Sequence, residues 1–298
     1  MDILNELLKY TGKENILINE PLKNHTTFKI GGEAMYIVTP SSIDEITGIL
    51  KFLKTNNILF FILGNGSNIL VKDEGFPGVV VKLGAPFSAI SADGEKIIAN
   101  AGVTLKKISN LALEHSLSGF EELSGIPGTL GGAIYMNAGA YQREIKDVLE
   151  SVTYLDNDFN LKTENIENIT MKYRETLFSE KNFIILGATL KLNNGNKEEI
   201  AQRIREVTKM RTDKQPLSYP SAGSTFKRPV GHFAGKLIED AGLKGYTVGG
   251  AMISDKHAGF VINFNNATCQ DVLNLTEDVK KIIKEKFGVE LELEVKVI

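Results

Sequence analysis

The feature that most constrains this chain is the stretch Ser124–Glu144, SGIPGTLGGAIYMNAGAYQRE, in which Gly125, Gly128, Gly131, Gly132 and Gly139 stand among small and apolar residues. It holds no Asp or Glu before Glu144, and its one cation is Arg143. Glycine lacks a Cβ and lets main chain approach a neighbouring surface closely. A run this long, apolar and uncharged belongs half-buried against something flat and large. Two readings are open on these residues alone: a glycine-rich turn followed by a tightly packed buried helix, or one wall of a ligand site.

A second glycine-rich loop bears on the choice. Ile58–Leu63 is a short apolar run that reads as a strand, and it leads directly into Gly64-Asn-Gly-Ser-Asn68. Successive N–H groups in a glycine-permitted turn form a concave nest that favours anions. The turn is not the GxGxxG dinucleotide fingerprint, because Ile69-Leu-Val71 reads as strand rather than helix. Nor is it a P-loop, since no Gly-Lys-Ser/Thr follows. Taken alone, it also fits a plain hairpin turn.

Around these loops the chain alternates strands and helices. Asn24–Gly32 reads as a glycine-ended strand leading into Ala34–Val38, and Ser42 with Glu45 forms a capping box for a helix with Ile46, Ile49, Leu50 and Leu53 inward. Lys96–Asn100 reads as strand and Thr104–His115 as a helix capped by Thr104. Val148–Leu155 and Phe183–Leu192 are strand-like, with Tyr173-Arg174 on the connection between them. Lys197–Arg211 is helical, Thr212–Gly231 is a structureless stretch of the kind that is usually functional, and helices follow at 232–241 and Thr268–Phe287. Val289–Val297 alternates strictly, with Glu290, Glu292, Glu294 and Lys296 on one face, and reads as a strand. At 298 residues two domains are expected: a first over 1–194, with lobes of about 1–84 and 85–194, and a second over 195–298.

Composition excludes several tasks. The net charge is −3 with both signs mixed and no basic block, which disfavours nucleic-acid binding. The apolar runs fall far short of the ~20 residues that cross a bilayer. MDILNELLKYTGKEN has no basic segment followed by an apolar core, so a cytoplasmic protein without membrane insertion is expected. The single cysteine, Cys269, excludes an internal disulfide and a Cys-rich metal centre. The four histidines, His25, His115, His232 and His257, make no metal-ligand spacing, and no metal is predicted.

With these motifs in order, the chain resembles the UDP-N-acetylenolpyruvoylglucosamine reductases, flavoenzymes of bacterial peptidoglycan precursor synthesis. The matching pieces are Thr27-Phe-Lys-Ile-Gly-Gly32, Leu63–Asn68, Leu123–Tyr141, Tyr173-Arg174, Pro220-Ser-Ala-Gly-Ser224, Ala234–Ile238, Lys256-His-Ala258 and Leu293-Glu-Val295. They run from about residue 25 to residue 295 in the family's order. The resemblance implies an α+β fold: a two-lobed FAD-binding domain of the vanillyl-alcohol-oxidase type, then an α+β substrate domain. It implies non-covalent FAD, NADPH as co-substrate, and UDP-N-acetylglucosamine enolpyruvate as the molecule reduced. Cofactor-binding positions would be Gly64, Asn65, Gly66, Ser67, Asn68, Ser124, Gly125, Ile126, Pro127, Gly128, Thr129 and Gly132.

By the same resemblance Arg174, Ser224 and Glu294 would be catalytic, with Ser224 the proton donor, and Lys214 and Tyr173 would contact substrate. Spacing does not choose among the three glutamates of the last strand; only the motif Leu-Glu-x-Glu-Val selects Glu294. Arg228 departs from the asparagine of many relatives, and no substrate role is carried to it. The short run from Leu192 to Lys214 leaves no room for the tyrosine-bearing insertion of one branch, so the chain resembles the branch without it. Oligomeric state is not legible, with a monomer favoured. Two alternatives stand beside this reading: another FAD-dependent oxidase or dehydrogenase of the same cofactor fold, and a non-catalytic sugar-nucleotide binder. Ser224, Lys256-His-Ala258 and Glu294 match the reductases and not generic oxidases, and the intact Arg174, Ser224 and Glu294 set argues against a non-catalytic binder.

Overall fold

The computed structural model describes residues 2–298. The chain divides into two compact units: one comprises residues up to Ile18, Tyr36–Asn65 and Gly78–Met210, and the other Asn19–Met35, Gly66–Pro77 and Arg211–Ile298.

The first unit holds a five-stranded sheet and most residues of a four-stranded one. In the four-stranded sheet the order is Ile16–Pro21, Glu33–Val38, Phe76–Lys82, Phe60–Leu63, and its last two strands are parallel, with Leu63 opposite Lys82. Parallel neighbours need a crossover, and here it is residues 64–75, which begin with the Gly64–Asn68 turn; ahead of both strands in the chain comes helix Ile43–Thr55. Its Ile46, Ile49, Leu50, Phe52 and Leu53 are buried, one apolar stripe at helical spacing. The helix starts as only half of the expected capping box. Ser42 accepts from the Glu45 N–H, but the Glu45 carboxylate takes the Ser41 N–H (3.0 Å) and hydroxyl (2.7 Å) instead of reaching back to Ser42. The five-stranded antiparallel sheet has the order Leu161–Asn165, Leu149–Leu155, Ile184–Lys191, Lys96–Asn100, Ile90–Asp93. Helix Leu105–Glu114 is capped by Thr104 as the sequence suggests. Helix Leu130–Tyr135 is the only α-helix within the glycine-rich stretch, six residues long, and Gly131 brings it against Ala101, where a Cβ would sit 2.8 Å from the alanine's own.

The second unit packs helices Ala234–Asp240 and Cys269–Phe287 with a three-stranded sheet, Thr247–Val248, Ala251–Ile253 and Val261–Asn263. The sequence reading places residues 19–35 and 66–77 in the first domain; the structure groups them here. The cause is non-local pairing. Phe28, Ile30 and Leu70 are core residues beside Ala222, Phe226 and Val295. Ile69–Leu70 pairs in parallel with Lys296–Val297, and Lys72 donates to the Ile298 carbonyl at 2.8 Å.

Three further expectations are corrected. Residues 22–32 form a 3-10 turn, Leu22–His25, followed by irregular chain rather than a strand. The alternating tail is a ladder strand only at Lys296–Val297, because residues before it meet a different partner, a single bridge from Leu293 to Phe226. The segment expected to be structureless from Thr212 begins inside helix Lys197–Lys214, which runs on until Gln215 donates to Arg211 and Pro216 stops it. The rest of that segment is tied down, with Ser221 bridging Ile262 and Thr225 donating to the Gly259 carbonyl at 2.9 Å.

Candidate functional site

In the first unit the two glycine-rich loops meet. Strand Phe60–Leu63 delivers Gly64 so close to Thr129 that a Cβ would fall 2.4 Å from the threonine hydroxyl. Asn65 donates its side-chain amide to the Pro127 carbonyl at 2.5 Å, across 62 residues of sequence. The Pro127–Thr129 segment is itself fixed by main chain: Leu105 donates to Gly128 (3.1 Å), and Leu130 and Gly131 donate to Val103 (2.8 Å) and Ala101 (2.9 Å). Ser124 is turned inward, its hydroxyl donating to the Glu121 carbonyl at 2.6 Å. Gly125 and Ile126 are half-buried, whereas Pro127 and Gly132 are exposed.

Tyr173 and Arg174 form the tip of a hairpin between Met171–Lys172 and Glu175–Thr176. Arg174 sits in the left-handed region at φ +58°, uncommon for a side chain of this size. Its guanidinium lies 4.8 Å above the Tyr173 ring and donates through Nη1 to the Asn137 carbonyl at 3.0 Å. The sequence reading takes no catalytic side chain from the glycine-rich stretch. Asn137 of that stretch nevertheless holds one of the expected catalytic residues.

In the second unit a closed circuit of hydrogen bonds surrounds the other half of the Gly64–Asn68 turn. Gly66 requires glycine: φ is +63°, and a Cβ would meet the His25 carbonyl at 2.4 Å and Thr26 Cα at 2.8 Å. The Gly66 carbonyl accepts from the Thr27 N–H (3.2 Å), and the Thr27 hydroxyl donates to the Ser221 carbonyl (2.7 Å). Three residues beyond Ser221 lies Ser224, exposed, after Gly223 at φ +79°. The carbonyl of the next residue, Thr225, accepts from the Glu294 N–H at 2.9 Å. The circuit closes when the Glu294 carbonyl accepts from the Asn68 side-chain amide at 3.0 Å and the Asn68 carbonyl accepts from Lys296 at 3.0 Å. Glu294 thus lies opposite Thr225, the residue after Ser224, across 69 residues of sequence.

The three glutamates of the tail now differ. Glu292 pairs with Lys227 at 3.0 Å and Glu290 with Lys284 at 2.7 Å, both carboxylates largely exposed. Such pairs are solvated surface contacts of little energetic weight. Glu294 is half-buried beside the Ser224 turn. Lys214 is the exposed last residue of helix Lys197–Lys214, and the neighbouring Thr212 carbonyl accepts from Lys256 at 2.6 Å. The Arg228 guanidinium lies 4.7 Å over the Phe233 ring. His257 accepts from the Gly259 N–H at Nδ1 (3.1 Å), and burial pushes its pKa down.

The residues fit an anionic cofactor. Among the described residues, none accepts a hydrogen bond from the main-chain N–H groups of 64–68, although the carbonyls of Gly66 and Asn68 are both engaged. Successive uncommitted N–H groups of this kind favour an anion. In the second unit the buried Thr26 hydroxyl, beside Gly66, has no partner, and a buried polar group in that condition points to a missing ligand. No acidic side chain occurs in 64–68 or 124–132. Among the described residues no group of three metal-ligating side chains is clustered, and no helix is long and apolar enough to cross a membrane.

Sequence reasoning missed Asn137, Thr27 and the Glu294 contact of Asn68. Asn137 carried one usable signal, since asparagine is among the few residues that tolerate left-handed backbone. Thr27 stood in a recognised motif but was read as strand. Asn68 was assigned to the cofactor, yet its amide is committed to Glu294, 226 residues away, which no local pattern reveals.

Residues 34–161 match an FAD binding domain family, and residues 215–298 match the C-terminal domain family of UDP-N-acetylenolpyruvoylglucosamine reductase. The chain is 54% identical over 298 residues to the UDP-N-acetylenolpyruvoylglucosamine reductase of Caldanaerobacter subterraneus, covering all of this chain and 97% of that one. It is 46% identical over 297 residues to the protein of the same name from Clostridium tetani, covering 96% of that protein. Among solved structures, that of the Thermus caldophilus UDP-N-acetylenolpyruvylglucosamine reductase matches at a TM-score of 0.80 and 35% identity, over 95% of this chain and 97% of that one. Wild-type Phl p 4.0202, a glucose dehydrogenase, shares the fold at a TM-score of 0.51 and 11% identity, over 98% of this chain and 61% of its own. The fold is the expected one: an FAD-binding domain of the vanillyl-alcohol-oxidase type with an α+β C-terminal domain. The chain belongs to the UDP-N-acetylenolpyruvoylglucosamine reductase family.

Proposed function

We propose that this chain is an FAD-containing, NADPH-dependent oxidoreductase that reduces UDP-N-acetylglucosamine enolpyruvate to UDP-N-acetylmuramate in peptidoglycan precursor synthesis. Family membership over the full chain supports the reaction. The observation that supports the site is the Glu294–Thr225 main-chain bond, which joins the segment after Ser224 to the segment carrying Glu294. FAD would be held without a covalent bond by Gly64–Asn68 and by Ser124–Thr129 with Gly132; when bound it supplies two-electron redox chemistry linking NADPH to the enolpyruvyl double bond. Residues 1–194 would serve the cofactor and 195–298 the substrate, in a cytoplasmic monomer.

The remaining chemistry belongs to side chains. Reduction at the outer vinyl carbon leaves negative charge on the carbon next to the carboxylate. Arg174 would stabilise that charge. Ser224 would deliver the proton to the α-carbon from its hydroxyl, a weak acid that needs a preorganised site and a route for reprotonation. Glu294 would orient and replenish that proton. Lys214 would meet the diphosphate as a point charge, and Tyr173 would line the substrate beside Arg174.

The test is spectroscopic. The purified protein should be yellow, lose that colour anaerobically with NADPH, and regain it on addition of the enolpyruvyl substrate. Its flavin should be released on denaturation. Ser224→Ala should leave bleaching by NADPH intact and slow the return of colour. Failure to take up FAD overturns the reading; equal loss of both half-reactions removes Ser224 as donor.

A further inference from the structure

We infer that Asn137 is a positioning residue for Arg174, an inference that rests on the proposed function. Asn137 is fully buried, at 0% exposure, inside the glycine-rich stretch. Its main-chain carbonyl accepts from Arg174 Nη1 at 3.0 Å. Its side-chain Nδ2 donates to the Lys172 carbonyl at 3.0 Å and to Glu144 Oε2 at 3.0 Å, and its Oδ1 accepts from the Lys146 N–H at 3.3 Å. One residue therefore grips the Tyr173-Arg174 hairpin twice, at the base through Lys172 and at the guanidinium.

The identity of the residue follows from the geometry. Asn137 has φ +44°, left-handed backbone that orients its carbonyl. Glycine, asparagine and aspartate are the residues that visit this region routinely. Glycine has no side chain to reach Lys172. Aspartate would set a carboxylate against two acceptors, the Lys172 carbonyl and the Glu144 carboxylate, with no proton to give. Asparagine alone supplies the left-handed turn and two donors. The side chain acts on Arg174 indirectly: it holds the left-handed turn whose carbonyl meets the guanidinium and ties down the Lys172 end of the hairpin.

The test is a double-mutant cycle on the holoenzyme with both half-reactions followed by flavin absorbance. Asn137→Gly keeps the backbone conformation and removes the amide; Asn137→Asp keeps the shape and reverses the donor. Each should slow re-oxidation by the enolpyruvyl substrate by about tenfold to a hundredfold, the scale of a small misplacement, while bleaching by NADPH stays within about twofold. Added to Arg174→Lys, Asn137→Gly should bring little further slowing, because contacting residues that act as one do not add. Equal slowing of both half-reactions, a full multiplicative effect on Arg174→Lys, or loss of flavin from both Asn137 variants would overturn the inference. Arg174→Lys with unchanged re-oxidation would instead remove the reading of Arg174 itself.

Discussion

Replacing Asp73 by alanine should loosen the start of the longest helix of the second unit, and the lone cysteine reports it. The first four N–H groups of helix Cys269–Phe287 have no intrahelical acceptor, and all four are satisfied. Asp73 takes two of them, from Cys269 (2.8 Å) and Gln270 (3.2 Å). The capping box takes the other two, the Asp271 N–H donating to the Thr268 hydroxyl (3.0 Å) and the Thr268 N–H to the Asp271 carboxylate (3.0 Å). Losing a cap costs about 1 kcal/mol, and losing an anion at a helix N-terminus costs about 0.3–1 kcal/mol more. The sum, about 1–2 kcal/mol, multiplies the opening equilibrium by about 5–30. Cys269 is buried at 2% exposure, and its thiol is pushed up to about 11, by burial first and by the Asp73 charge second. A disulfide reagent added to the native protein therefore reads local opening. Asp73→Ala should raise the pseudo-first-order labelling rate by about 5–30-fold. Asp73→Asn shares the loss of charge near the thiol but keeps an acceptor oxygen, so its rate should fall between, and the gap between the two variants isolates the cap. Rates for Asp73→Ala within about twofold of the parent would show that water replaces the carboxylate and that the cap holds nothing.

Three other outcomes are expected. Gly66→Ala forces a Cβ to within 2.4 Å of the His25 carbonyl in left-handed backbone, so flavin content after purification should drop at least about tenfold, from a strain of about 1–3 kcal/mol or more; full retention of flavin would refute the packing argument. Glu292→Gln should leave turnover near the parent's, because its pair with Lys227 is solvated, whereas Glu294→Gln should slow re-oxidation by the enolpyruvyl substrate; similar behaviour would mean that Glu294 is not special. Burial holds the His257 pKa below its usual 6.5, and the Gly259 N–H against Nδ1 also favours the neutral ring. The unfolded state therefore binds the proton more readily, and the contribution is present above pH 6.5 and lost as pH falls below it. Thermal melts between pH 8 and pH 5 should show that loss, and His257→Gln should flatten it.

What the sequence disclosed was local and periodic. The Thr104 cap, the apolar stripe of helix 43–55 and the two glycine loops were readable because each depends on residues within a turn or two of one another. That Asn65 would donate to the Pro127 carbonyl, 62 residues on, was not among these local signals. What was not readable depends on partners far away. The alternation of Val289–Val297 marks faces correctly, but whether such a run forms a ladder depends on what lies beside it; here that is Phe226 for one part and Ile69–Leu70 for another. The same distance effect moved residues 19–35 and 66–77 into the second unit. The choice of Glu294 over Glu292 needed a family motif in the sequence; in the structure Glu292 is an exposed partner of Lys227, whereas Glu294 is half-buried.

The circuit that joins Asn68 to Glu294 also sets an order of events during synthesis. Asn68 leaves the ribosome long before Glu294, which follows it by 226 residues. At elongation rates of about 5–20 residues per second, that interval lasts on the order of ten seconds or more. Through that time the Gly64–Asn68 turn exists without the C-terminal segment that accepts from Asn68. Flavin capture should therefore wait until the polypeptide is nearly finished, and a ribosome stalled short of residue 294 should carry a nascent chain that binds no FAD.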